Sequence, residues 1–160
     1  MKLSTRDASA YFGKPDSDAT GLLIYGSDAM RVALKRQQFL AALLGQSAEE
    51  EMRLSRINAN ELRKDPAMLL DAVKAVGFFP GPRAAFVEEA SENTAGVIIS
   101  ALDDWQQGDA QIVVTAGVLK PTSKLRKAFE AHRNAYAAGI YDNPPPRGEI
   151  EQSLQQAGLT

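Results

Sequence analysis

The 160-residue chain has no cysteine, one tryptophan and one histidine. Without thiols it can form no disulfide, no thiolate nucleophile and no cysteine metal site, which fits a reducing compartment. The single histidine, His132, lies on a basic stretch with no partner in sequence, so a metal centre or a catalytic triad has little to build on. A solvated surface residue is the simpler reading. No apolar run approaches the ~20 residues of a membrane-spanning helix. Residues 1–11 are polar and mixed in charge, unlike a signal peptide. The expectation is a soluble cytoplasmic protein with no membrane contact. A formal net charge of −2 and a pI of about 5.5 leave no dominant electrostatic grip on nucleic acid, although a local basic patch stays open.

What the chain does have is 44% hydrophobic residues, enough for one core of normal size. A continuous apolar run at 21–25 predicts a strand buried on both faces, as in a parallel sheet. Asp28 or Ser27 is placed to cap a helix running to Leu44. One face of that helix carries Ala29, Val32, Ala33, Leu40, Leu43 and Leu44, with Phe39 on the flank. Arg36 falls inside this stripe and must snorkel or find an acidic partner. Further strands are predicted at 52–58 (an edge), 84–87, 111–116 and, shorter, 138–141. Helices are predicted from Pro66 to Val76, from a cap at Asn93 or Thr94 to near Gly108 with Trp105 on the inward face, and over 123–134. Strand and helix alternate, which predicts an α/β fold with a parallel five-stranded sheet and helices on both faces. The domain is expected over 1–142. Asn143-Pro144-Pro145-Pro146 reads as a stiff linker, and 143–160 as that linker plus the first helix of a second, truncated domain.

A strand–turn–helix unit near the start invites a test for a phosphate-binding loop, Gly-x4-Gly-Lys-Ser/Thr. Counted from Gly26, the required Gly, Lys and Ser/Thr positions hold Arg31, Val32 and Ala33. Gly21 and Gly26 have the Gly-x4-Gly spacing, but the strand lies between them and Ser27-Asp28 stands where Lys-Thr should follow. Glu88-Glu89 after the third strand resembles the acidic pair that holds Mg2+ in nucleotidases, or is simply a pair of solvated acids at a strand end. Lys120, Lys124, Arg126 and Lys127 form a basic cluster, more often a solvated face than a nucleic-acid patch. The residues that stand out are Phe78 and Phe79, between Gly77 and Pro80-Gly81-Pro82. So much glycine and proline ends the preceding helix and leaves the pair at a helix end or on a loop. Either the rings stand in solvent for a partner, or they fold back as a plug over the next helix; composition leaves both open.

Taken together, three stretches resemble the N-terminal domain of the δ subunit of the bacterial DNA polymerase III clamp loader. They are Leu22-Leu23-Ile24-Tyr25-Gly26-Ser27-Asp28 with its helix, Gly77-Phe78-Phe79 leading to Arg83 and the next strand, and Leu119-Lys120 through Ser123-Lys124-Leu125-Arg126-Lys127. The likeness covers nearly the whole chain, in order. It implies an AAA+/RecA-like three-layer sandwich with a degenerate phosphate loop, binding no cofactor and no metal and having no ATPase of its own. It implies a non-catalytic subunit of a DNA-directed DNA polymerase holoenzyme that binds and opens the sliding clamp, the β subunit, for loading on primed DNA. The clamp-binding role falls on Phe78 and Phe79. Pro80-Gly81-Pro82 gives them a stiffer tail than the family pattern. Other loader subunits would be met through C-terminal domains beyond this chain, and DNA only weakly or indirectly. The competing expectation is a nucleotide-binding or hydrolysing α/β enzyme with a divergent phosphate loop, using Glu88 and Glu89 as metal acids.

Overall fold

The computed structural model describes residues 1–16, 18–45, 53–75 and 82–140. Its elements in chain order are β1 (Lys2–Leu3), α1 (Thr5–Gly13), β2 (Gly21–Tyr25), α2 (Ala29–Leu44), β3 (Leu54–Asn58) and α3 (Ala59–Lys64). They continue with α4 (Ala67–Lys74), β4 (Ala84–Ala90), α5 (Glu92–Asp104), β5 (Gln111–Ala116), α6 (Lys124–Ala131) and β6 (Ala135–Gly139). The strands make one sheet in the order β1-β6-β2-β5-β4-β3, and every pairing is parallel. The central strands β2 and β5 are buried at every residue. That is why their sequences are continuously apolar instead of alternating.

The sheet has six strands, not the expected five. The extra one is β1, whose two residues pair with Ala137 and Ala138 and are too few to carry any periodicity. The last strand is also moved: it is Ala135–Gly139, not 138–141. Its three alanines, Ala135, Ala137 and Ala138, are almost wholly buried but weigh little in a reading by hydrophobic bulk. The short helix α3 had no expectation attached. It starts because Asn58 accepts a hydrogen bond from the Asn60 amide at 2.9 Å, the usual N-cap arrangement. The helix expected over 123–134 ends at Ala131, where Nδ1 of His132 turns back to accept from the Asn134 amide.

Alternate residues of each strand feed two cores. Leu22, Ile24, Ala84, Phe86 and Val113 pack with α1 and α2 on one face. Leu23, Tyr25, Ala85, Val87, Ile112 and Val114 pack with α3 to α6 on the other. Among the described elements, two helices thus serve one face and four the other. The thinner side leaves Phe86 to be roofed by side chains: the Arg36 guanidinium lies 4.9 Å from its ring centroid and that of Arg56 5.6 Å. This resolves the position of Arg36 within an apolar stripe. It is held by an aromatic face, not by a carboxylate. The residues expected to form the proline linker and second-domain helix, 143–160, lie outside the described residues.

Candidate functional site

Parallel α/β sheets take ligands in the crevice beyond the carboxyl ends of their strands, where the chain switches direction. Here β2 is that point: from it the chain crosses to the far edge at β3, returns through β4 and β5, and then passes to the other side at β6. The turn after β2 is closely filled. The Gly26 amide donates to the carbonyls of Ala116 at 3.3 Å and Gly117 at 3.2 Å. The Ile140 amide donates to the Tyr25 carbonyl at 2.7 Å, which brings the chain so close that a Cβ on Gly26 would stand 2.2 Å from the Ile140 carbonyl oxygen. Glycine is needed here for close approach, not for an unusual φ.

Asp28 is the N-cap of α2. Its Oδ1 accepts from the amides of Met30 at 3.1 Å and Arg31 at 3.2 Å. The donors at this helix end, the natural place for an anion, are thus engaged by a carboxylate of the chain itself. Arg31 pairs with Asp28 at 3.5 Å in solvent. Val32 is 5% exposed and belongs to the core, so the position where a phosphate loop carries lysine is a packing position.

A cleft of about 360 Å3 opens between the start of α2 and the ends of β4 and β5, with Val32, Ala33, Ala90 and Ala116 among its walls. Its charged lining residues are Arg36, Glu88 and Glu89. Glu88 pairs with Arg56 at 3.4 Å. Glu89 has a φ of 60°, in the left-handed region that non-glycine residues seldom enter. It sits where the β4–β5 register slips between Val87 and Ala90, and such a bulge re-aims the side chain it carries. Burial holds the Arg36 guanidinium below its ordinary pKa, and the nearby charge of Arg56 adds to this, with Glu88 opposing. No group of three or more metal-ligating side chains occurs among the described residues, and none of their helices is long and apolar enough to cross a membrane.

No protein-family model matches the chain, and no curated protein matches it either.

Phe78 and Phe79 lie outside the described residues, but both flanks of their segment are placed. On one side the Lys74 ammonium donates to the Asp104 carbonyl at 3.0 Å and pairs with the carboxylates of Asp104, at 3.3 Å, and Asp109. On the other, Arg83 Nη2 donates to the Gly108 carbonyl at 2.8 Å. Backbone bonds repeat the pattern: the Ala110 amide donates to Val73 and the Gln111 amide to Arg83. The connection from α5 to β5 is therefore a common footing for the end of α4 and the start of β4, at the opposite end of the sheet from the cleft. The hydrogen bond to Asp109 raises the pKa of Lys74. Burial pushes Asp109 up, but the hydrogen bonds from Lys74 and the Gln106 amide outweigh it and hold the carboxyl below its ordinary value. Sequence spacing could not have revealed this network, because its members come from three separate elements.

The basic cluster divides. Lys120, Lys124 and Lys127 are exposed. Arg126 instead folds inward to Glu130 at 3.2 Å and the Leu119 carbonyl at 3.1 Å, with its guanidinium 5.2 Å from the Tyr25 ring. Trp105 packs against the core as expected, half-buried, but from the C-cap of α5 and not from within the helix, with Nε1 donating to the Ala110 carbonyl at 2.9 Å.

Proposed function

We propose that this chain is the clamp-binding N-terminal domain of a clamp-loader δ subunit, an AAA+-type, RecA-like domain that works in the cytoplasm during DNA replication without an ATPase of its own. The observation that carries this reading is the filled turn after β2. Its backbone donors are engaged by Asp28, Ala116 and Gly117, and Val32 is in the core where a phosphate loop needs lysine. Such a domain keeps the strand order and helix placement of a nucleotide-binding unit but offers its partner a surface, not chemistry. That surface is the segment bearing Phe78 and Phe79, whose flanks at Lys74 and Arg83 share one footing. The domain would hold the β clamp, meet other loader subunits through further domains, and approach primed DNA only indirectly.

Clamp binding by the Phe78→Ala/Phe79→Ala double variant tests the reading. Burying one phenylalanine is worth about 1.5–3 kcal/mol, and 1.4 kcal/mol is a factor of ten in affinity. The double variant is expected to lose about two to three orders of magnitude in clamp affinity with its melting temperature nearly unchanged. The core-plug alternative expects the reverse, since cutting a buried phenylalanine to alanine costs about 3–5 kcal/mol of stability. A variant that melts far lower while its folded fraction still binds the clamp would end the proposal.

A second reading, a small-molecule or nucleotide enzyme, draws on the cleft at the strand ends with Glu88 and Glu89 on its rim. Calorimetric titration with Mg-ATP separates the two. Saturable heat that disappears in Glu88→Gln/Glu89→Gln favours the enzyme.

A further inference from the structure

The cleft beyond β2, β4 and β5 contains two charges of opposite sign that form no ion pair with each other or, for Glu89, with any described residue. Arg36 stacks on Phe86, yet its Nε is buried and donates to no acceptor among the described residues. Glu88 cannot serve it fully, being already paired with Arg56. Glu89 is exposed and makes no ion pair with any described residue. It is held in the cleft lining by a bulge that costs it a left-handed backbone. Arg36 and Glu89 line the same cavity without reaching each other, and the walls beside them are the apolar Val32, Ala33, Ala90 and Ala116.

We infer that this cleft binds a small zwitterion of the aliphatic amino-acid class, its carboxylate accepting from Arg36, its ammonium donating to Glu89 and its hydrocarbon against the apolar wall. A cavity of about 360 Å3 lies within the range of small-ligand sites, where a few polar groups set orientation among apolar walls. The charge balance selects the class. Arg56 offsets Glu88, which leaves one cation, Arg36, and one anion, Glu89, facing the cleft. A zwitterion matches both and adds no net charge, whereas a phosphate ester matches Arg36 alone and is repelled by Glu89. Arg36 is half-buried and burial holds its pKa below the ordinary value, so a carboxylate bound in the cleft would favour its charged form. The inference goes beyond the clamp-binding proposal and does not depend on it, because the Phe78–Phe79 segment enters β4 at the other end of the sheet.

The test is a titration of the isotope-labelled chain with L-leucine and with 6-aminohexanoate, followed through the amide resonances of Gly26, Ala33 and Gly117. The controls are 4-methylpentanoate and 3-methylbutylamine, which carry one charge each. At least one zwitterion is expected to give saturable shifts at these amides, with both controls at least tenfold weaker. Arg36→Gln and Glu89→Gln are each expected to weaken binding at least tenfold. Because Glu89 is exposed, its variant reads the site even if Arg36→Gln folds poorly. Absence of saturable shifts with both zwitterions would overturn the inference. So would controls that bind as well as the zwitterions, a Glu89→Gln variant of undiminished affinity, or displacement of the zwitterion by Mg-ATP. The Phe78→Ala/Phe79→Ala variant is expected to bind the zwitterion normally, so failure of either proposal is read separately.

Discussion

Replacing Gly26 by alanine adds one methyl group where the fold has no room for it. The new Cβ would lie 2.2 Å from the Ile140 carbonyl oxygen, 3.1 Å from its carbonyl carbon and 3.3 Å from its Cβ. The first two are backbone atoms and cannot rotate away. The strand on the other side cannot yield either, since β2 is paired with β5 and β6 along its whole length. The segment at Ile140 must therefore lift, which breaks the 2.7 Å bond from its amide to Tyr25. Overpacking of this kind costs about 1–3 kcal/mol, and the lost hydrogen bond about 0.5–1.5 kcal/mol. Together they give about 2–4 kcal/mol, or a fall of about 6–12 °C in melting temperature at roughly 3 °C per kcal/mol for a domain of this size. Thermal unfolding followed by circular dichroism measures it. Gly96→Ala is the matched control: Gly96 is inside α5 with nothing within 4 Å of its added Cβ, so helix propensity alone predicts a gain of about 0.5–1 kcal/mol. A Gly26→Ala protein melting within a degree or two of the parent would refute the close approach of Ile140 to the turn.

Lys74→Met is expected to lower the melting temperature most at neutral pH and progressively less toward both extremes. Asp109 is held below its ordinary pKa, so its contribution is present above about pH 4 and is lost as pH falls through the lower folded value. Lys74 is raised, so its contribution is present below about pH 10.4 and is lost as pH rises through the higher folded value. A pH series of melting curves checks this, and a constant gap between the proteins would show that the lysine acts only by packing. In the basic cluster, Arg126→Met removes the partner of Glu130 and a donor to Leu119 and is expected to cost about 1–3 kcal/mol. Lys120→Gln, Lys124→Gln and Lys127→Gln, all at exposed positions, should each stay within about 0.5 kcal/mol; denaturant unfolding distinguishes the two classes.

Legibility in the sequence followed the range of the interaction. Strands buried on both faces, 21–25 and 111–116, showed themselves as unbroken apolar runs, and Asp28 as a cap is a three-residue affair. The conflict at Arg36 was visible as a charge in an apolar stripe. Its resolution was not, because Phe86 lies on a strand 50 residues further on and reaches Arg36 only through the sheet order. The left-handed Glu89 left no trace, since nothing in Glu-Glu-Ala-Ser announces a positive φ. The strand β1 was too short to register, and the alanines of β6 displaced its expected place to 138–141. Phe78 and Phe79 were conspicuous in composition, and the footing beneath their flanks was invisible, being assembled from α4, β4 and the turn before β5.

The turn after β2 cannot be converted to a phosphate loop by exchanging side chains. The phosphate loop needs several residues of open backbone between its first glycine and the helix that carries its lysine. Here α2 begins at Ala29, directly after its cap at Asp28, so the position that would hold lysine is already in the first turn of the helix. There Val32 is turned into the core with Phe39 and Leu40. Val32→Lys would force an ammonium into that core or turn the helix away from the sheet. Either outcome is expected to cost about 3 kcal/mol or more, since an unpaired buried charge is strongly destabilising. It is not expected to bring Mg-ATP binding, because the amides of Met30 and Arg31 remain engaged by Asp28. Calorimetric titration and thermal unfolding of the same sample read both effects. A Val32→Lys protein that keeps its melting temperature and binds Mg-ATP would mean that the first turn of α2 rearranges freely, and that the filled turn is not what separates this domain from nucleotide chemistry.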